Sequence, residues 1–358
     1  MKLIYRYIIS ALTQSTLFTL AALLGLYGFF DIIHEVPDLN QGSYHIGKML
    51  AYIAMQAPGH AYELMPLAVL IGGMVAMTQL ASSSEYTVIR TCGITLGQIA
   101  RTLLLFGLGF AILTTALGEF ISPYSLQQAE RMKLSAMRSM VAQEFRSGIW
   151  VKDNNNFINV HEMLPDTTLL GVRIYTYDDN YQLVTTRYAE RGSFLRGTHI
   201  WQLSNVVETH LYADHVESQS VPLAQWTSII EPDILNVLLV VPEQMSAMSL
   251  IKYIEHLSAN KQQTQRYDIA LWGKLFYPLA CVSMALVALA FTPQQRRHGQ
   301  LGLKLFAGIC LGVGFHFINR LFGHLGLLYN WNPVISATVP TLLFLFAGIA
   351  LILKQERR

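Results

Sequence analysis

Few residues in this chain have both the type and the spacing to do chemistry. The run Gly42-Ser43-Tyr44-His45-Ile46-Gly47-Lys48 has the glycine and lysine spacing of a phosphate-cradling P-loop. Such a loop needs Ser or Thr next to hold magnesium, but Met49 stands there and no strand leads in, so the match is a decoy. The sequence has no HExxH pair, no GxSxG elbow and no paired Cys/His ligand spacing. His199, His210 and His215 read as exposed strand histidines rather than metal ligands. Nothing points to catalysis, and the chain itself is expected to bind no cofactor or metal.

What remains are charges in places where charge is costly. Glu63, Glu119, Arg131, Lys133 and Arg320 lie within or just beyond long apolar stretches, and ionisable groups there are functional candidates by default. Arg320 is fifteen residues beyond the first uncharged position after Lys304. At ~1.5 Å per residue that is roughly 22 Å in, within the outer third of a ~30 Å hydrocarbon core. It can snorkel to the interface as an anchor, or meet a ligand. Arg131 and Lys133 follow the third apolar stretch at similar depth. With Phe315 and Phe317 these cations suit a ligand that carries phosphates and acyl chains, the charges for the head and an apolar cleft for the tails. The substrate-binding candidates are therefore Arg131, Lys133, Phe315, Phe317 and Arg320.

The elements that position these residues are set by where charge is missing. No charged residue falls between Arg6 and Asp31, Glu63 and Glu85, Arg101 and Glu119, or Lys274 and Arg296. Two more apolar stretches lie beyond Lys304, parted by the turn near Asn330. Each is about long enough to cross a bilayer as a helix, which takes roughly 20 residues. The spans fall near 9–33, 60–82, 99–122, 270–292, 302–327 and 333–353. Charged residues are 13% of the chain, against about 25% in a soluble domain, and a net charge of +2 argues against nucleic acid as a partner. The first span is too long for a signal-peptide core and lacks a small-x-small cleavage site, so it reads as retained. Lys2 and Arg6, Arg90 and Arg101, Arg296, Arg297 and Lys304, and Lys354, Arg357 and Arg358 flank alternate span ends. The positive-inside rule puts both termini and the 83–98 loop in the cytoplasm.

A polar block divides the spans three and three. Residues 135–265 carry 9 Lys/Arg and 14 Asp/Glu, and the three cysteines, Cys92, Cys281 and Cys310, all lie outside it. It can use no disulfides and must stand on its own core. Across 144–226 apolar residues alternate with period two between turn clusters such as Asp153-Asn154-Asn155 and Asp178-Asp179-Asn180, which predicts an all-β domain of sandwich, jelly-roll or barrel type. Trp150, Phe157, Ile174 and Trp201 read as inward strand residues that line either an apolar lipid cleft or an ordinary closed core. The predicted units are a transmembrane half at 1–134, a β-domain at 135–245, a connecting helix at 246–268 and a second transmembrane half at 269–358. Gly25 and Gly28, and Gly308, Gly312 and Gly314, permit close helix approach, within the chain or at a subunit seam. Between spans two and three, residues 82–93 read as a short helix with Ser82 as N-cap, Glu85 completing a capping box and Gly93 as a stop. Such a helix on the inner face can take force from a cytoplasmic motor; a plain surface-loop helix is the alternative.

Four stretches resemble the LptF/LptG lipopolysaccharide-export permeases (the YjgP/YjgQ type). Ser84-Glu85 followed by Gly93 resembles the family's coupling segment, with Tyr86 where Leu is usual. Gly118-Glu119-Phe120-Ile121-Ser122-Pro123 is similar to the end of its third span. Gly148-Ile149-Trp150-Val151-Lys152-Asp153 resembles the opening of its periplasmic domain, closer to the LptG branch, and Tyr267 through Pro278 resembles the entry to its fourth span. The resemblance implies a bacterial inner-membrane permease with an inserted periplasmic β-jellyroll. It implies a non-catalytic subunit that extracts lipopolysaccharide from the outer leaflet of the inner membrane. It further implies a paralogous LptF-like permease subunit and an LptB-like cytoplasmic ABC ATPase dimer, which supplies ATP and magnesium. The remaining implied partners are an LptC-like single-span periplasmic protein and an LptA-like soluble bridge. Glu85, Tyr86 and Arg90 become the ATPase-coupling residues, and Lys133 the basic residue expected near lipid phosphates. The cation that the family carries at the end of span one is missing, since Asp31 ends the uncharged run Gly28-Phe29-Phe30. A membrane-anchored β-scaffold or sensor without a transport role is the alternative. A secondary transporter fits worse, because no span carries a central acidic residue for ion coupling.

Overall fold

The computed structural model describes residues 2–136, 148–163, 168–178, 180–195, 198, 200–212, 214–228, 242–291 and 301–356. The first half holds α1 (Lys2–Glu35), α2 (Ile46–Ser82), the short α3 (Glu85–Thr91), α4 (Leu96–Ala116) and α5 (Ser122–Ala136). A π-helical turn, Leu117–Ile121, joins α4 to α5. Its cause is local: Pro123 has no N–H to give and its ring crowds the carbonyl four residues back, at Glu119, so the helix takes in an extra residue. The second half holds α6 (Ala247–Ala259), α7 (Gln265–Phe276), α8 (Leu279–Ala290), α9 (Leu301–Leu328) and α10 (Pro333–Glu356).

Five helices are long and apolar enough to cross a membrane, and the α7/α8 pair, bent by 50° at Tyr277-Pro278, makes a sixth span. The three-plus-three layout expected from the charge gaps is the observed one. The helices outrun the gaps, however: α2 has 37 residues and the run from α4 into α5 spans 38. At ~1.5 Å per residue each exceeds the ~30 Å core. Lack of charge marks the embedded part, while the helix continues beyond it as a polar extension.

Burial is uneven among the spans. The apolar window of α2 is 78% buried, against 11% for α1 and 17% for α9. Helix α2 is the central post: Met65, Leu70 and Met77 pack in one core with Leu103 of α4 and most of α8. Gly107 lets α4 reach the Val282 backbone of α8, where a Cβ would collide. Gly308 and Gly312 face Met74 and Leu67 of α2, so their close approach lies within the chain; Gly25, Gly28 and Gly314 face open space.

Between the halves, six antiparallel strands form one sheet in sequence order: β1 (Ile149–Asp153), β2 (Asn156–Met163), β3 (Leu169–Tyr177), β4 (Leu183–Leu195), β5 (Ile200–Leu211) and β6 (Val216–Thr227). A jelly roll would add pairings between non-neighbouring strands; among the described residues every pairing joins sequence neighbours. Asn154 at φ 54 makes the tight turn from β1 to β2. One sheet face carries the core: Ile158, Val160, Val172, Ile174, Ala189, Trp201, Leu203 and Val206. Helix α6 links sheet to membrane. Asn260 at its end accepts from the Asn154 amide (2.8 Å), and its Leu250, Tyr253 and Leu257 pack on Tyr267 and Leu271 of α7.

Candidate functional site

The predicted residues fall into three places. At the end bearing α3, that helix starts at Glu85, not three residues earlier. Ser82 closes α2, so the predicted capping box does not form; the box in this region is Thr95 with Gln98, at the start of α4. Tyr86 and Ile89 turn into the bundle core, with Tyr86 only 8% exposed. Tyr86 therefore anchors the helix instead of presenting it, because a period of 3.6 puts residues 86 and 89 on one side. Glu85 accepts from the Tyr7 hydroxyl of α1 (2.8 Å) and the Ser83 hydroxyl (3.0 Å). Arg90 donates to the Ile94 carbonyl (3.2 Å). The surface left outward is Glu85, Thr87, Val88 and Arg90.

At the opposite end, Lys133 of α5 is not a free cation. It contacts Glu35 (2.8 Å) and Asp38 (3.0 Å) at the end of α1, and stands 5.0 Å from the ring centre of Tyr52. Tyr44 donates to Glu35 and Tyr52 to Glu130, so the cluster closes on itself. The P-loop lookalike serves it structurally, since Tyr44 is fully buried and Lys48 donates to Ser43. The acids escaped sequence reasoning, although Asp31, Glu35 and Asp38 have the i, i+4, i+7 spacing of one helix face. Asp31 contacts His60 of α2 (3.0 Å). Arg131 is half-buried, and among the described residues no carboxylate lies within ion-pairing reach of it.

The remaining substrate candidates do not form one cleft. Phe315 is fully buried against Phe344, ring centres 5.2 Å apart, so it is core; Phe317 is 67% exposed on another side of α9. Arg320 reaches Glu63 (3.4 Å) at the rim of a cavity of about 640 Å³. This cavity is walled by α2, α7, α9 and α10 and roofed by Glu243 and Gln244. No hydrogen bond or ion pair joins the Arg320 and Lys133 clusters among the described residues.

A clamp missed by the sequence ties the sheet's exit to the bundle. Glu119, held in the π-turn, accepts from the first amides of α6, Ala247 (2.8 Å) and Met248 (3.3 Å). Lys274 of α7 donates to the Met245 carbonyl just before. The signal was present as Glu119 beside Pro123, but its partner is 128 residues away.

In the sheet, the predicted inward set splits. Ile174 and Trp201 are on the buried face, whereas Trp150 and Phe157 are on the other, Trp150 stacked on Tyr175. Register decides this: Phe157 precedes the inward Ile158, and Trp150 precedes Val151, which pairs with Ile158. The inner face is apolar at Phe194, Trp201 and Trp226. It turns polar toward Arg187 and Glu208 (2.8 Å), with His210 3.4 Å from Glu208. His215 pairs with Asp214; His199 lies outside the described residues.

Six apolar spans, split three and three around an all-β domain, define a multi-pass membrane protein whose extramembrane domain is clamped to its helices. The chain belongs to the family described as lipopolysaccharide export system permease LptF/LptG, which it matches over residues 6–354. It is 29% identical over 352 residues to the lipopolysaccharide export system permease protein LptG of Escherichia coli K12, covering 98% of each chain. It is 26% identical over 340 residues to the LptG of Haemophilus influenzae Rd, covering 95% of each.

Proposed function

We propose that this chain is the LptG-type permease subunit of an ATP-driven lipopolysaccharide exporter in a bacterial inner membrane. It takes the glycolipid from the outer leaflet and passes it to a periplasmic bridge through its β-domain. The observation that carries this reading is the family match over residues 6–354 together with two nearly uncovered spans, α1 and α9, at 11% and 17% burial. Each packs one stripe on α2, Leu12 and Thr16 for α1 and Gly308 and Gly312 for α9, and the apolar faces left over need either lipid or a partner. A paralogous permease facing α1 and α9 encloses a cleft between two subunits, with Phe317 and the open Gly25, Gly28 and Gly314 on its walls. Arg131, in the last turns of α5, has no ion-pair partner among the described residues and offers its charge to a phosphate. Glu85, Val88 and Arg90 meet a cytoplasmic ATPase dimer, which binds ATP and magnesium. Both termini are cytoplasmic and the β-domain periplasmic, where single-span and soluble partners extend its sheet. The inner sheet face, through Ile174 and Trp201, guides acyl chains.

The test is copurification in mild detergent. The full chain is expected to bring down a second permease, an ATPase and a lipid A-type glycolipid. Recovery of the chain with periplasmic proteins but neither ATPase nor glycolipid would instead make it a membrane-anchored scaffold.

A further inference from the structure

The cavity beside Arg320 is separate from the bare outer faces. On α9, His316, Arg320, Gly323 and Leu327 repeat at i, i+4, i+7 and i+11 and border the cavity. Phe306, Val313 and Phe317 repeat at i, i+7 and i+11 on a different, exposed stripe. At about 640 Å³ it has the size of a small-molecule site. Its lining is cationic: Arg266, Lys274 and Arg320, with His316 and His324, against Glu63 and Glu243.

These cations are poorly matched by protein. Arg320 reaches Glu63 through one nitrogen at 3.4 Å, and Arg266 reaches Glu243 at 4.0 Å. Lys274 is the telling case. Among the described residues no carboxylate lies within ion-pairing reach of it; it has the Met245 carbonyl and, 5.7 Å off, the ring of Tyr62. Glu119 has both carboxylate oxygens engaged by α6 amides. It is the opposing charge nearby but makes no ion pair with Lys274. A part-buried ammonium with spare donors and no contacting carboxylate is costly unless an anion joins it. His316 adds a buried Nε2 with no hydrogen-bond partner among the described residues.

We propose that this cavity binds the phosphate of a lipid headgroup, with Lys274 as its central cation, His316 as a hydrogen-bond donor and Arg266 and Arg320 at its rim. The site lies within one subunit, between α7, α9 and α10, and needs neither a second permease nor the exported glycolipid. Its position selects a lipid. The cavity borders membrane-spanning helices at the break in the fourth span, and Ile269, Ala270, Leu327 and Ala337 bring apolar surface to its wall beside the charges. Gly273, also on the wall, has nothing within 4 Å of where a Cβ would stand, so a side chain there enters open space.

The full chain, purified alone, is mixed with phosphatidylglycerol or with an uncharged glycolipid of the same acyl chains. Native mass spectrometry counts the lipids retained, with excess inorganic phosphate as competitor. The parent is expected to hold one phosphatidylglycerol in clear preference to the uncharged lipid, and inorganic phosphate is expected not to displace it. Lys274→Met removes a charge-assisted contact and Gly273→Leu fills the space. Each should lower retention by about tenfold or more, and Gly273→Leu should keep the parent's thermal midpoint. Equal retention by the parent and both variants would overturn the proposal, as would no preference for the phospholipid. Complete displacement by inorganic phosphate would overturn the lipid assignment. Loss confined to Lys274→Met and accompanied by a fallen midpoint would make Lys274 a structural residue only.

Discussion

Lys133 shows how a residue can be found correctly and read incompletely. The sequence marks it as a cation at the outer end of a span, but its partners lie 95 to 98 residues earlier in Asp38 and Glu35, and sequence spacing carries no trace of such a pairing. Glu35 has a side chain only 6% exposed. Lys133→Met strands that carboxylate and should cost about 3 kcal/mol or more of stability, with much of it restored by adding Glu35→Gln. Thermal unfolding of the single and double variants without glycolipid checks this; an unchanged midpoint in Lys133→Met would show that the cluster carries no stability. His256 makes a second case. It is 7% exposed, and neither ring nitrogen has a hydrogen-bond partner among the described residues. Burial holds its pKa below the ordinary histidine value, with Asp153 opposing. The folded protein therefore keeps it neutral, while the unfolded chain takes up a proton below about pH 6.5. The stability from its docking is fully present above pH 6.5 and falls as pH drops toward the folded pKa, by at most ~1.4 kcal/mol per pH unit. Proteolysis of the α6 segment at pH 7.5 and 5.5 should show faster cutting at the lower pH, and His256→Leu should flatten the difference.

At the scale of elements, the long helices were legible because a bilayer imposes a minimum apolar length. The strands β1 to β5 were legible because one buried face forces period two. Strand β6 fell inside the 144–226 block read as β but was not picked out as a strand of its own: its residues are almost all exposed and Pro222 fits an edge strand. The face of each strand was read wrongly at Trp150 and Phe157, because large aromatics also cover the outer side and only register tells the two apart. The α6 clamp could not be read at all, since it joins a π-turn to a helix on the far side of the β-domain. Its removal has a local signature. In Glu119→Ala the first amides of α6 lose their acceptor, a capping loss of about 1 kcal/mol. Hydrogen exchange at Ala247 and Met248 should quicken several-fold, while amides in the sheet core keep their rates. Unchanged exchange there would mean that the clamp does not hold the helix.

For the whole molecule, the arrangement of three spans, a β-domain and three spans follows from charge placement alone. What the sequence could not reveal is which spans stay bare. Helix α1 and α2 have similar hydropathy, yet 11% and 78% of their apolar windows are buried; periodicity does not separate a face meeting its own bundle from one meeting lipid or a second subunit. On the proposed reading, the two largely uncovered spans face a partner permease and the outward residues of α3 face a motor ATPase. The direct test reconstitutes the purified complex in proteoliposomes loaded with a lipid A-type glycolipid and follows its release to a soluble periplasmic acceptor, with and without ATP. Release is predicted to require ATP, and in Glu85→Arg to fall to the no-ATP level while the complex still retains glycolipid. Release without ATP, or full release by Glu85→Arg, would contradict the account.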